Sequence, residues 1–115
     1  MISGNDFKTF QYNILGAGTH LTGDISLSGD TILTARIEGN ITMLSPSKLV
    51  LERGSEVEGR IEAFDLEVFG SIKGDIISNG SVSIRSSAQI SGSIKAKKLI
   101  IYPGAIVDTK AITQE

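Results

Sequence analysis

One five-residue phrase recurs along this chain and constrains its fold more than any other feature: an apolar residue, any residue, glycine, any residue, isoleucine. It reads Leu21-Thr22-Gly23-Asp24-Ile25, Ile37-Glu38-Gly39-Asn40-Ile41, Val57-Glu58-Gly59-Arg60-Ile61, Ile72-Lys73-Gly74-Asp75-Ile76 and Ile90-Ser91-Gly92-Ser93-Ile94. The central glycines stand at 23, 39, 59, 74 and 92, in steps of 16, 20, 15 and 18 residues. Self-similarity at a nearly constant period is the signature of a repeat architecture, in which each unit buries its core face against the next. Apolar residues two apart mark a strand with one buried face. The glycine is expected on that same face, where two backbones approach closely or the interior is too narrow for a side chain.

A second alternating run stands beside most copies: Leu49-Val50-Leu51, Leu66-Glu67-Val68, Val82-Ser83-Ile84 and Leu99-Ile100-Ile101. Corner sequences such as Arg53-Gly54-Ser55, Ser78-Asn79-Gly80-Ser81 and Tyr102-Pro103-Gly104 separate the runs. Two or three short strands per period of about 17 residues describe one coil of a β-solenoid, each strand pairing in parallel with its counterpart one coil on. The expected fold is all-β: a single-domain, right-handed parallel β-helix of about six coils with a narrow aliphatic core. Right-handedness follows from the strong preference of parallel strand crossovers and from steps that ignore the six-residue count of left-handed β-helices. Isoleucine, leucine and valine dominate the apolar residues, and six of the 115 residues are aromatic. Stacked branched side chains suit such a core.

Residues 1–18 are expected to form an N-terminal arm, partly flexible, residues 19–109 the β-helix core, and residues 110–115 a short tail. Phe7, Lys8 and Phe10 lie in the arm, which is read as a cap over the first coil or as a membrane-surface anchor, since aromatics beside a lysine suit the headgroup region. Counting along the phrase places Glu58 beside Lys73 and Arg60 beside Asp75, opposite charges on adjacent strands that fix register. Charge also separates along the chain. Between Glu52 and Glu67 stand six acids and two arginines, and between Arg85 and Lys110 five bases and one acid, Asp108.

Several functions lack their residues. There is no cysteine and one histidine, His20, so disulfides, thiol chemistry and a three-histidine zinc site are excluded. No nucleophile elbow or phosphate-binding glycine loop is present, and the formal charge of −2 makes no case for nucleic acid. The sequence is read as non-enzymatic and free of cofactors or metals. No apolar run approaches the roughly 20 residues of a membrane-spanning helix, and the N-terminus lacks a signal-peptide pattern. A cytoplasmic location is expected, with the inner face of the cell membrane as a peripheral site.

The recurring apolar-x-Gly-x-Ile phrase, the Leu-Val-Leu and Leu-Ile-Ile runs and the Pro103-Gly104-Ala105 corner together resemble the bactofilins over roughly residues 19–109. The resemblance implies a bacterial cytoskeletal protein with a right-handed parallel β-helix. It implies filaments that assemble without nucleotide by joining like ends, a scaffold role in cell shape, and membrane contact through a short N-terminal segment. Its partners would be copies of itself, the membrane surface, and cell-envelope or cell-wall proteins. The physics of a solenoid points the same way, because an uncapped end exposes core residues and unpaired backbone groups. Leu21, Ile25 and Leu27 are the expected contact residues at the N-terminal end, and Leu99, Ile101 and Val107 those at the C-terminal end. About six coils spaced roughly 4.8 Å apart make a subunit near 30 Å long. The alternative is a non-polymerising binding module that presents a flat solenoid face to a protein or glycan.

Overall fold

The computed structural model describes residues 12–113, with side chains over 13–108. Phe7, Lys8 and Phe10 lie outside the described residues. Fourteen strands and no helix make up the described chain, and they wind as six coils. Coil 1 comprises β1 (Tyr12–Leu15), β2 (His20–Thr22) and β3 (Ile25–Leu27), and coil 2 comprises β4 (Asp30–Leu33), β5 (Arg36–Glu38) and β6 (Ile41–Met43). From coil 3 onward each coil has two strands: β7 (Lys48–Leu51) and β8 (Glu56–Ala63), then β9 (Asp65–Val68) and β10 (Ser71–Ser78). Coils 5 and 6 are β11 (Ser81–Ile84) with β12 (Gln89–Ala96), and β13 (Lys98–Ile101) with β14 (Ile106–Thr113).

Every strand pairs in parallel with its counterpart one coil away, giving one sheet in the order β1-β4-β7-β9-β11-β13 and a second in the order β14-β12-β10-β8-β5-β2, with β3 and β6 alongside. The phrases stack in register: Gly59 stands on Gly74, and Gly74 on Gly92. The core is the stack of their flanking residues. Ile37, Val57, Ile72 and Ile90 form one column, Ile41, Ile61, Ile76 and Ile94 another, and all eight are buried. Leu33, Leu49, Leu51, Leu66, Val68, Val82 and Ile84 close the core from the first sheet. The aliphatic solenoid expected from the period is therefore the observed fold.

The glycines refine that expectation. They are not buried, because the chain kinks at each one. At Gly74 φ is +142°, a region costly for side-chain-bearing residues, and a Cβ there would lie 2.0 Å from the Gly59 carbonyl oxygen. The kink turns both flanking apolar residues inward and divides the second sheet into two faces. Close approach of backbones, rather than a narrow interior, requires glycine here.

Pairing also extends past the boundaries read at residues 19 and 109. β1 pairs with β4 from Tyr12↔Asp30 to Leu15↔Leu33, and β14 follows β12 as far as Ala96↔Thr113. Both segments lack the glycine phrase; at the phrase position in β14 stands Thr109, opposite Gly92. Among the described residues three polar side chains are buried, and their hydroxyls are satisfied. Thr31 donates to the Gly29 carbonyl at 3.2 Å, Ser55 to the Glu52 carbonyl at 2.6 Å, and Ser78 to the Phe64 carbonyl.

Candidate functional site

The features that set this surface apart are the two ends of the stack. Leu99, Ile101 and Val107 stand in register on Val82, Ile84 and Ile90, all buried in the coil beneath. They continue the core by one layer, and among the described residues no coil lies above it. Leu99 and Val107 are half-buried against the core, and Ile101 is 47% exposed. Ala105 packs into the same layer, while Ile100, Tyr102 and Ile106 are exposed around it. At the N-terminal end Leu21, Ile25 and Leu27 stand on Ile37, Ile41 and Met43, again buried partners, and are themselves half-buried. Each expected set of three thus lies in one terminal layer. Sequence reasoning missed Leu15, the inward residue of β1 that stands on Leu33. The signal was present: Asn13-Ile14-Leu15 mirrors Thr31-Ile32-Leu33.

The two ends present different backbone edges. At the C-terminal end β14 is one unbroken strand of 8 residues, whereas β2 and β3 at the other end have 3 residues each. A strand at the edge of a sheet offers a row of unpaired donors and acceptors that template further pairing.

The outer faces carry polar ladders that hold coil to coil. The residue after each phrase glycine contributes one of them: the Asn40 amide donates to Asp24 Oδ1 at 3.3 Å, the Arg60 amide to Asn40 Oδ1 at 3.0 Å, and the Ser93 hydroxyl to Asp75 Oδ1 at 2.6 Å. The expected neighbours Glu58↔Lys73 and Arg60↔Asp75 stand in register. Among the described residues, however, neither closes into an ion pair. Arg60 lies 3.9 Å from Glu62 instead, and Asp75 is held by Ser93. A second ladder crosses the first sheet. Lys48 Nζ lies 2.8 Å from Glu67 and Arg85 lies 3.8 Å from the same carboxylate. The Arg85 guanidinium stacks 5.4 Å from the Phe69 ring centre and 4.2 Å from that of Tyr102. Hydrogen bonding to Glu67, and then that carboxylate's charge, raise the Lys48 pKa above its ordinary 10.5. His20 is exposed and lies 3.5 Å from Glu38.

Among the described residues, no group of three or more histidine, cysteine, aspartate or glutamate side chains is placed to hold a metal ion, and no helix is long and apolar enough to cross a membrane. A surface groove lined by Arg36, Glu56, Glu58, Ser71 and Lys73 mixes both signs of charge. Among known proteins, the family described as bactofilin, polymer-forming cytoskeletal, matches residues 13–111. Bactofilin BacO of Myxococcus xanthus is 27% identical over 92 residues, which cover 80% of this chain and 71% of that relative. No solved structure matches the chain.

Proposed function

The chain belongs to the bactofilin family of polymer-forming cytoskeletal proteins, and on that premise we propose that it assembles end to end into nucleotide-independent filaments that scaffold other proteins. The observation that carries this is the pair of apolar terminal layers over which, among the described residues, no further coil lies. Val82, Ile84 and Ile90 are buried because a coil lies above them, and Leu99, Ile101 and Val107, in the same columns, lack that coil. Joining ends removes this apolar surface from water and pairs the edge strands. No catalytic step is assigned to it. Its place is the cytoplasm, at or near the inner face of the membrane, where the Phe7–Phe10 segment would reach lipid. Its partners are copies of itself and proteins of the cell envelope or wall.

The test is negative-stain electron microscopy with sedimentation, on purified protein without nucleotide. Filaments that pellet are expected. Val107→Arg and Leu21→Arg place a charge in a terminal layer and should leave folded, soluble protein by circular dichroism. A wild-type protein that stays monomeric across a tenfold concentration range would overturn the proposal and favour the binding-module alternative. Filaments indifferent to both substitutions would show that the ends do not make the contact.

A further inference from the structure

The charges of this chain are sorted along the solenoid axis. Residues 12–80, coils 1 to 4, carry ten carboxylates and five basic side chains, whereas residues 81–113, coils 5 and 6, carry five basic side chains and one carboxylate, Asp108. At the basic end Lys95, Lys97 and Lys98 are exposed and follow one another around the corner between β12 and β13. Among the described residues none of the three closes an ion pair, whereas Arg36, Lys48, Arg60 and Arg85 all do. Acids one or two coils away are otherwise engaged. Asp75 accepts from the Ser93 hydroxyl, and Asp65 accepts from the backbone amide and hydroxyl of Ser81. On coils 1 to 3 Asp24, Asp30, Glu56 and Glu58 are exposed.

We propose that the lysine corner Lys95–Lys97–Lys98 docks sideways on the acidic coils of a second copy of this chain, holding neighbouring filaments together in staggered register. The occupant follows from charge complementarity within a single sequence: a surface that is basic over two coils and acidic over four matches its own copy when the copies are offset along the axis. The centres of the two segments lie three coils apart, so the offset is about 14 Å at roughly 4.8 Å per coil. Parallel copies side by side without offset set their basic ends level and repel, so for copies that point the same way the charge pattern selects the stagger as well as the contact. This surface is separate from the terminal apolar layers. It rests on the end-to-end assembly proposed above for the filaments it would join, but the contact itself is between single subunits.

The experiment compares wild type with Lys95→Glu/Lys97→Glu/Lys98→Glu by electron microscopy and light scattering. One buffer has a screening length of about 30 Å and the other about 8 Å. Wild type is expected to form bundles in the first buffer and single filaments in the second, and the triple variant single filaments of unchanged length in both. The same variant is mixed with vesicles containing about one third phosphatidylserine. Bundles that persist in the triple variant, or in the higher salt, overturn the proposal. So does a triple variant that bundles normally and fails only to bind vesicles, since the lysines would then serve an anionic lipid surface. Should wild type form no filaments, the end-to-end proposal fails and the lateral one is still decided by sedimentation at low salt. Salt-sensitive self-association that the triple variant lacks supports it, and a monomer in both buffers overturns it.

Discussion

Replacing Gly74 by alanine tests the close approach on which the stacking of coils depends. The new Cβ would lie 2.0 Å from the Gly59 carbonyl oxygen, where ordinary contacts begin near 3.4 Å, and φ there is +142°. Holding a non-glycine residue in that region costs about 1–3 kcal/mol, and the forced separation of two paired backbones about 1–3 kcal/mol more. Loss of unfolded-state freedom returns about 0.4–1 kcal/mol. The net destabilisation is about 3 kcal/mol, a large share of the roughly 5–15 kcal/mol that holds a domain of this size. Gly23→Ala is the matched control: φ is +115°, but nothing lies within 4 Å of the added Cβ, so the dihedral cost remains and the collision does not. Its expected cost is about 1 kcal/mol, the middle of that dihedral range less the entropy returned. Urea titration followed by circular dichroism, in a Val107→Arg background so that assembly does not add to stability, should separate the two midpoints by about 1 M or more at an ordinary m-value. Equal midpoints for the two variants would refute the collision as the reason for glycine.

Other substitutions test the core, the ends and the outer ladders. Ile76→Ala empties a fully buried site and should cost about 2–5 kcal/mol, whereas Ile101→Ala, 47% exposed, should cost about 1 kcal/mol or less and act mainly on pelleting in the sedimentation assay. Arg85→Ala removes two ring contacts and one carboxylate partner. It should cost about 1–2 kcal/mol and speed amide hydrogen exchange over residues 98–105 more than over coils 2 and 3. The raised pKa of Lys48 means that its pair with Glu67 contributes fully below the unfolded value of 10.5 and is lost as pH rises through the higher folded value. A Tm difference between wild type and Lys48→Met should therefore be present near neutral pH and close above pH 10.5. The pair is half-exposed, so the difference is small, of order 0.2–1 kcal/mol.

What the sequence made legible is what the phrase itself encodes. Isoleucines two apart from a recurring glycine gave the period, the core columns and the neighbours Glu58↔Lys73 and Arg60↔Asp75, because parallel strands in a solenoid align like with like. β1, although it mirrors β4 in sequence, escapes a reading by apolar alternation for a physical reason. Asn13, a polar residue, stands at the register position of buried Thr31 and is satisfied there, its side-chain amide donating to Thr31 Oγ1 at 3.2 Å and to the Ser28 carbonyl at 2.7 Å. A polar pair at an inward position breaks the apolar alternation that announces a strand. The glycine's orientation was misjudged because alternation assumes an extended chain, and a φ of +142° is not extended. The Phe69–Arg85–Tyr102 stack was not legible at all, since its members lie outside the phrase and meet only once the coils are in register.

The terminal layers matter because they differ from the interior in circumstance, not in composition. Leu99 and Val82, Ile101 and Ile84, Val107 and Ile90 are the same kind of side chain in the same columns. In these columns burial falls away only in the layer over which, among the described residues, no further coil lies. A globular protein closes its core by surrounding it; a stack of coils has no such option along its axis, and must cap each end with polar residues or meet another stack. Among the described residues the end layers are aliphatic, and β14 presents an unbroken edge. The forces that add coil six to coil five are therefore the same in kind as those available to add one subunit to another. Substitutions in the terminal layer are for this reason expected to separate assembly from folding, whereas substitutions one coil inward, at Ile84 or Ile90, should damage both together.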